Sequence, residues 1–226
     1  MTDDEIKTVH TREVVRPLKT TFSTSLGRKS AMRSVIVEVR LRDGSRGLGE
    51  CATSFVLPHE TVDRIQGIIG EERPFLTGKR ATHFPAVAAE LRARHPSFPM
   101  TVSGLETAIW RAWLRNTGTS ETGWFGGSLR HIETDITIPL ATDRKVLKEW
   151  IEQAARKGFT VYKVKVSGEK TDDIRFIASV ASILEALDIR YTLRLDGNQG
   201  FTQGTCLAFA DHVVRKGYSI EIFEQP

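Results

Sequence analysis

The chain has 226 residues, enough for one large domain or two modest ones, and its 40% hydrophobic and 27% charged residues are typical of a globular protein. The net charge is only +4 and no run of five like charges occurs, which argues against a nucleic-acid partner. No segment resembles a membrane span or a signal peptide, and the two cysteines form no CxxC pair, so we expect a soluble, cytoplasmic protein that contacts no membrane.

The first part of the chain predicts strands followed by helices. The predicted strands, based on alternating apolar residues, cover residues 6–16, 31–41 and 47–52. Asp43-Gly44 between the last two is a hairpin turn signal. The predicted helices cover residues 61–69, 84–94 and 103–114, and Ser103 with Glu106 suggests a capping box at the start of the third. We therefore expect an α+β domain with a three-stranded antiparallel sheet over residues 1–120.

After a glycine-rich stretch at residues 116–128, strands and helices alternate. The predicted strands cover residues 134–140, 160–166, 191–196 and 219–224. The predicted helices cover residues 146–157, 172–187 and 202–216, with Gly158 and Gly217 ending the first and the third. This alternation indicates parallel strands with helical crossovers, in a doubly wound sheet or a barrel. We interpret residues 121–226 as an α/β half of a TIM-like barrel, its first four strands.

The barrel is favoured because charged residues end three successive strands, where TIM barrels carry catalytic groups. Lys163 and Lys165 are two residues apart and share one face of a strand, so each ammonium should lower the pKa of the other and produce a usable base. Asp196 and Glu224 end the next two strands and supply the oxygen ligands that Mg²⁺ prefers. Surface lysines and helix-capping acids explain each feature singly, but the equivalent positions favour one site.

The motifs KVKV, LRLDGNQGF and EIFEQP occur in this order, after the stretch PLKTTFSTSLGRKSAMRSVIVEVRLRDGSRGLGECATS. Over nearly the whole chain this pattern resembles the enolase superfamily. Within it, the pattern resembles the mandelate racemase-like subgroup that contains muconate-lactonising enzymes and dipeptide epimerases. The resemblance implies an α+β N-terminal capping domain, a TIM barrel, and removal of a proton α to a carboxylate with the help of Mg²⁺. A metal ion would offset the second negative charge that this proton removal places on the substrate.

The resemblance also implies roles for single residues. Lys165 would be the acid/base and Lys163 its support, while Asp196 and Glu224 would be two metal ligands. The residues implied at the substrate are Thr134, Thr137, Asn198, Phe22 and Arg28. Two capping-domain loops, over residues 20–28 and 51–58, would close over the barrel mouth and select the substrate.

The segment ETDITIPL resembles that of dipeptide epimerases, so the expected substrate is an Ala-Glu-like dipeptide or a related small carboxylate. Muconate cycloisomerases and o-succinylbenzoate synthases would use the same lysines and metal ligands, and they remain alternatives. A catalytically dead remnant or an oligomerising module is the alternative that is not an enzyme. A nucleotide-binding protein is disfavoured because no strand precedes a GxGxxG or GxxxxGK[ST] loop.

The family's complete site contains more than these residues, namely a third acidic ligand after the fifth barrel strand and an opposite-face lysine at the sixth. The barrel portion, residues 133–226, is well short of the about 250 residues of a whole barrel. We therefore expect a barrel that is truncated after its fourth strand, nearly inactive alone, and a homo-oligomer that associates through open strand edges.

Overall fold

The structure is a computed structural model that describes residues 3–24, 27–128, 132–138 and 143–226, with the backbone alone for residues 19–24 and 27–28. The chain divides into two compact units, Met1–Arg130 and His131–Pro226. This division falls after residue 130 instead of 120, because a short helix at Glu121–Trp124 packs on the first unit. None of the helices in the described ranges combines the length and the hydrophobicity that a membrane span requires.

The first unit is an antiparallel sheet with helices, as the sequence predicts. The strands, in spatial order, are β1 (Ile6–Thr24), β2 (Gly27–Leu41) and β3 (Arg46–Ala52). The helices are α1 (Val62–Leu76), α2 (Phe84–Arg94), α3 (Pro99–Asn116) and α4 (Glu121–Trp124), with a 3-10 turn at Ala81–His83. The predicted loop over residues 20–28 is wrong in its described part, since β1 and β2 continue pairing up to Thr24 and Gly27.

The core of this unit follows the alternation of β2. Val35, Val37 and Val39 are completely buried, whereas the residues between them are only partly buried. They form one cluster with apolar residues of the helices, which include Ile65, Ile69, Leu76, Leu91, Leu105 and Ile109. Burial of this apolar face is the main free-energy term that holds the sheet to the helices.

The contact between β3 and α3 depends on glycine. A Cβ atom added to Gly49 would lie 1.9 Å from the carbonyl oxygen of Gly104, and one added to Gly47 would lie 2.1 Å from that of Ala108. Such distances are far shorter than any van der Waals contact, so the strand and the helix meet backbone against backbone. The Cys51 thiol lies in the same contact, and burial raises its pKa to about 12.

The start of α3 differs from the prediction. The helix begins at Pro99 instead of Ser103, and its N-cap residue Phe98 makes no capping hydrogen bond with its side chain. The buried carboxylate of Glu60 instead accepts hydrogen bonds from the amides of Met100 and Thr101, at 2.9 and 2.8 Å. The predicted capping box is therefore wrong, because proline suits the first helical position and a distant acid satisfies the free amides.

The second unit is a parallel sheet with helical crossovers. Its strands, in spatial order, are β4 (Ile136–Ile138), β5 (Val161–Lys165), β6 (Thr192–Asp196) and β7 (Ile220–Glu224). Its helices are α5 (Arg144–Arg156), α6 (Lys170–Ala186) and α7 (Gln203–Lys216). This confirms the predicted class, a capping-type α+β domain followed by part of a TIM-type barrel. Gly158 and Gly217, at φ of 83° and 70°, follow the ends of α5 and α7 as predicted.

The two faces of the parallel sheet differ in chemistry. Tyr162 and Val164 of β5 and Leu193 and Leu195 of β6 are buried in a cluster with residues of the helices. The alternate residues of the same strands therefore lie on the opposite face, and they include most of the charged residues that the sequence singles out. The helix-covered face stabilises the sheet, and the other face carries the candidate site.

Substitution Gly49→Ala should destabilise the first unit strongly, because its methyl group must displace the α3 backbone. We expect a loss of about 3 kcal/mol in the free energy of unfolding, measured by urea denaturation. Gly70→Ala is the matched control, since nothing lies within 4 Å of its added Cβ and alanine favours a helix. Equal stability of the two variants would contradict the backbone contact.

Candidate functional site

The site lies at the carboxyl ends of three adjacent strands. Lys165 pairs with Asp196 across β5 and β6, and Asp196 pairs with Glu224 across β6 and β7. Paired residues in a parallel sheet lie at the same height and direct their side chains to the same face. The three side chains therefore start from one line across the sheet, with Lys163 one pleat below.

Four charged groups converge at this edge. The ammonium nitrogen Nζ of Lys163 lies 2.6 Å from Oε2 of Glu224 and 2.9 Å from Oδ2 of Asp196. The Nζ atom of Lys165 lies 2.6 Å from the same Oδ2 of Asp196. Asp196 is thus shared by both lysines, and Lys163 bridges the two carboxylates. The predicted convergence of these residues is confirmed.

Burial and charge act against each other in this cluster. Asp196 is only 1% exposed, and burial alone would raise its pKa, but hydrogen bonds from Lys165, Lys163 and the Asn198 amide lower it. Burial alone would lower the pKa of Lys163, but its hydrogen bonds to Glu224 and Asp196 raise it. The predicted lowering by a neighbouring ammonium is therefore wrong for Lys163, because two carboxylates lie closer to its charge.

The loops beside the cluster are held by backbone contacts. The buried Asp173 accepts hydrogen bonds from the amides of Ser167 and Gly168, at 2.8 and 2.9 Å, which shapes the turn after β5. A Cβ atom on Gly168 would lie 2.2 Å from the carbonyl oxygen of Gly200, which belongs to the turn after β6. Two closely packed turns therefore flank the carboxyl end of the sheet.

The other predicted substrate residues are placed differently. Thr137 of β4 pairs with Lys163 and faces the same side of the sheet, whereas Thr134 precedes β4 at the opposite end of the strands. Asn198 is exposed in the turn after β6 and has a φ of 45°. Its backbone N–H donates a hydrogen bond to Oδ1 of Asp196 at 3.0 Å. The side chains of Phe22 and Arg28 lie outside the described part of the structure, so their predicted roles stay predictions.

Three charged residues near the site were missed by sequence reasoning. Arg194 lies on the site face of β6, two residues before Asp196, and its spacing could have revealed it. It donates hydrogen bonds to Glu221 at 2.9 Å and to Asp135 at 3.1 Å. Nothing in the local sequence predicts these two partners, because their contact with Arg194 arises only from the folded sheet.

The arrangement fits a divalent cation in part. Asp196 and Glu224 are close enough to share one positive charge, since the Lys163 ammonium contacts both. Their oxygen atoms are the donors that Mg²⁺ prefers, and water or a substrate carboxylate could complete its coordination. In the described ranges, however, no group of three or more His, Cys, Asp or Glu residues could hold a metal. Among the described residues, Asp196 and Glu224 are therefore the two candidate ligands of this cluster.

Comparison of sequences identifies several relatives. Residues 145–226 match the sequence model of the family described as enolase C-terminal domain-like. L-Ala-D/L-Glu epimerase from Thermotoga maritima is 30% identical over 214 residues, which is 95% of this chain and 59% of that protein. L-Ala-D/L-Glu epimerase from Bacillus subtilis is 26% identical over 219 residues, which is 96% of this chain and 59% of that protein. This chain thus spans about 60% of the length of both relatives.

Solved structures are similar over the same extent. A mandelate racemase/muconate lactonizing protein from Herpetosiphon aurantiacus gives a TM-score of 0.86 at 27% identity, covering 99% of this chain and 62% of the other. A dipeptide epimerase from Methylococcus capsulatus, complexed with Mg and the dipeptide L-Arg-D-Lys, gives 0.81 at 26% identity, covering 98% and 61%. The L-Ala-D/L-Glu epimerase from Bacillus subtilis, in a substrate-liganded complex, gives 0.84 at 25% identity, covering 98% and 61%.

Substitution Asp196→Asn should destabilise the protein more than Glu224→Gln. The first change leaves two lysines beside a neutral, buried amide, whereas Glu224 has a side chain that is 46% exposed and contacts one lysine. We expect losses of about 2 kcal/mol and below about 0.5 kcal/mol, respectively, in the free energy of urea unfolding. Equal losses would show that Asp196 is not the shared partner.

Proposed function

We propose that this chain, which belongs to the mandelate racemase/muconate lactonizing group of the enolase superfamily, carries part of an epimerase site that removes a proton α to a carboxylate. The observation that carries the proposal is the bridge of Lys163 between Asp196 and Glu224, with Lys165 on the same Asp196 oxygen. This contact supports a base and two cation ligands at one end of one sheet.

Lys165 is the proposed acid/base. Its side chain is 34% exposed, more than that of Lys163 at 19%, so it has the better access to a substrate at the sheet edge. A base must come within hydrogen-bond reach of the proton it removes. Lys163, on the same face and deeper, would contribute positive charge toward the substrate carboxylate and keep Asp196 and Glu224 oriented.

Mg²⁺ is the proposed cofactor, and Asp196 and Glu224 would hold it. When bound, it would supply the positive charge that offsets the negative charge developing on the substrate carboxylate. The chain's own contribution to that ligation is orientation. The backbone N–H of Asn198 donates a hydrogen bond to one oxygen of Asp196, and strand pairing keeps Glu224 level with Asp196.

The substrate class is proposed from the relatives. The Thermotoga maritima and Bacillus subtilis proteins are L-Ala-D/L-Glu epimerases, and the similar solved structures include dipeptide complexes. We therefore favour a dipeptide with a free carboxylate over a muconate. Thr137 shares the face of Lys163, which supports its proposed contact with the substrate.

We also propose a cytoplasmic location, which is supported by the free thiols of Cys51 and Cys206.

The 226 residues should support little turnover by themselves. Epimerisation needs a base on each face of the reacting carbon, and the described lysines of the cluster both extend from β5. Two carboxylates also bind Mg²⁺ more weakly than three. We therefore propose that this chain contributes one pair of lysines and two cation ligands to an epimerase site.

Metal binding and proton exchange test this proposal separately. In Mn²⁺ or Mg²⁺ titrations by calorimetry, we expect binding with a dissociation constant on the order of 1 mM, lost in Asp196→Asn. In deuterated water with Mg²⁺ and L-Ala-L-Glu, we expect neither epimer nor measurable α-deuteration by mass spectrometry.

The control is Glu13→Gln, which removes an exposed carboxylate of the first unit that pairs with Arg33 at 2.6 Å. It should leave metal affinity unchanged. Unaltered metal binding in Asp196→Asn would remove the metal role, and robust α-deuteration by the unaltered chain would show that one lysine pair and two ligands suffice.

We also propose that the chain self-associates through the open edge of its parallel sheet. β7 is the last strand of that sheet, and its Ile222 is 43% exposed. Leu207 and Val214 lie seven residues apart on α7, on one helix face, and are 64% and 77% exposed. An unpaired strand beside exposed apolar residues is a typical association site.

Light scattering coupled to size exclusion tests the association. We expect a mass above the 25.3 kDa of one chain, lowered toward it by the double substitution Leu207→Lys and Val214→Lys, because buried ammonium groups are costly. Met32→Lys, at a residue of the first unit that is 53% exposed, serves as the control. A single-chain mass at high concentration would refute the association.

A further inference from the structure

One residue of β7 has no partner on β6. Leu193 pairs with Ile220, but the next residue, Arg194, pairs with Ile222, so Glu221 is an extra residue in the strand. Such an insertion is a β-bulge, which shifts the register of everything after it by one position. The hydrogen bonds agree, since the Leu193 amide donates to Ser219 and the Gly197 amide donates to Glu224.

The bulge brings Glu224 to the site. If β7 paired continuously from Ile220, with Glu221 opposite Arg194 and no bulge, Asp196 would pair with Phe223. Glu224 would then lie one position further and direct its side chain to the helix-covered face, because a shift of one residue exchanges the two faces of a strand. The contact of 2.6 Å between Lys163 and Glu224 requires the shifted register.

One ionic contact holds the extra residue, and a second contact of the same arginine reaches another segment. The carboxylate of Glu221 accepts a hydrogen bond from Nε of Arg194 at 2.9 Å, and Nη1 of the same guanidinium donates to Asp135 at 3.1 Å. The Arg194 side chain is 28% exposed and that of Asp135 is 23% exposed, so this contact is partly sheltered from water. Arg194 therefore links the bulge to the segment before β4, across β5.

We infer that Arg194 and Glu221 are positioning residues that maintain the bulge and so keep Glu224 level with Asp196. The inference rests on the proposed function only in that Glu224 is taken as a cation ligand. Neither residue contacts Asp196, Glu224 or the lysines in the described hydrogen bonds and ion pairs, so they act through the strand register.

The sign of one effect separates this role from simple electrostatics. Arg194→Met removes a positive charge near the carboxylates, which by Coulomb attraction alone should tighten binding of Mg²⁺. Loss of the register should instead weaken it, because one of the two ligands moves to the other face. We expect Mg²⁺ affinity measured by calorimetry to fall by about tenfold in Arg194→Met and in Glu221→Val, and less in Arg194→Lys.

The register itself can be read without any metal. Cross-strand nuclear Overhauser effects between residues 195–197 and 222–224 show whether Asp196 pairs with Glu224 or with Phe223. We expect the Asp196–Glu224 pattern in the unaltered chain and its loss in Glu221→Val and Arg194→Met. Deletion of Glu221 should retain it, because a strand without the extra residue reaches the same pairing. Glu13→Val, which breaks the cross-strand pair with Arg33, is the control for loss of an exposed ion pair.

Each outcome decides between the claims. An unchanged Asp196–Glu224 pattern in Arg194→Met and Glu221→Val, or tighter Mg²⁺ binding in Arg194→Met, overturns the inference. If the unaltered chain binds no Mg²⁺ but the variants still lose the pattern, the proposed function fails and the positioning role stands. If Glu221→Val does not fold, Glu221→Gln and Arg194→Lys give the same two measurements.

Discussion

The whole candidate site depends on one buried carboxylate. Asp196 has almost no exposure to water, so its negative charge is tolerable only while positive groups and an amide surround it. Lys163 and Lys165 provide that charge from the neighbouring strand, and the Lys163 ammonium also contacts Glu224. The same contacts that make the carboxylate stable in the fold therefore bring together the proposed base and the two proposed cation ligands.

The remainder of the second unit serves this arrangement. Parallel pairing brings Lys165, Asp196 and Glu224 to one height, and burial of the opposite face against α5, α6 and α7 makes that pairing stable. The turns that follow β5 and β6 contact each other through Gly168 and Gly200, where any side chain would collide with backbone. Strand order determines which groups meet, and the glycines allow the two turns to come close.

Much of this could be predicted from the sequence, because its signals are local. Alternation gives the strands, helical spacing gives the helices, α2 has the predicted bounds, and the charged residues at strand ends indicate the site. What could not be predicted depends on residues distant in sequence. The carboxylate of Glu60 accepts a hydrogen bond from the Met100 amide at the start of α3, although the two residues are 40 positions apart. The bulge at Glu221 is defined only by the pairing of β7 with β6. The raised pKa of Lys163 could not be predicted for the same reason, since the carboxylates that raise it come from other strands.

The relatives support the proposed function of this cluster. This chain matches about 60% of the length of an L-Ala-D/L-Glu epimerase and of a dipeptide epimerase complexed with Mg and a dipeptide. The described residues contribute two candidate oxygen ligands and one lysine pair, so we propose the cluster as one part of such a site.

Anomalous diffraction from a crystal of this chain grown with Mn²⁺ would locate a cation at the Asp196 cluster. We expect a manganese peak within about 2.5 Å of one oxygen each from Asp196 and Glu224, with Lys165 beside it on the same face of the sheet. A peak bound elsewhere, or a Glu224 side chain on the helix-covered face, would contradict this expectation.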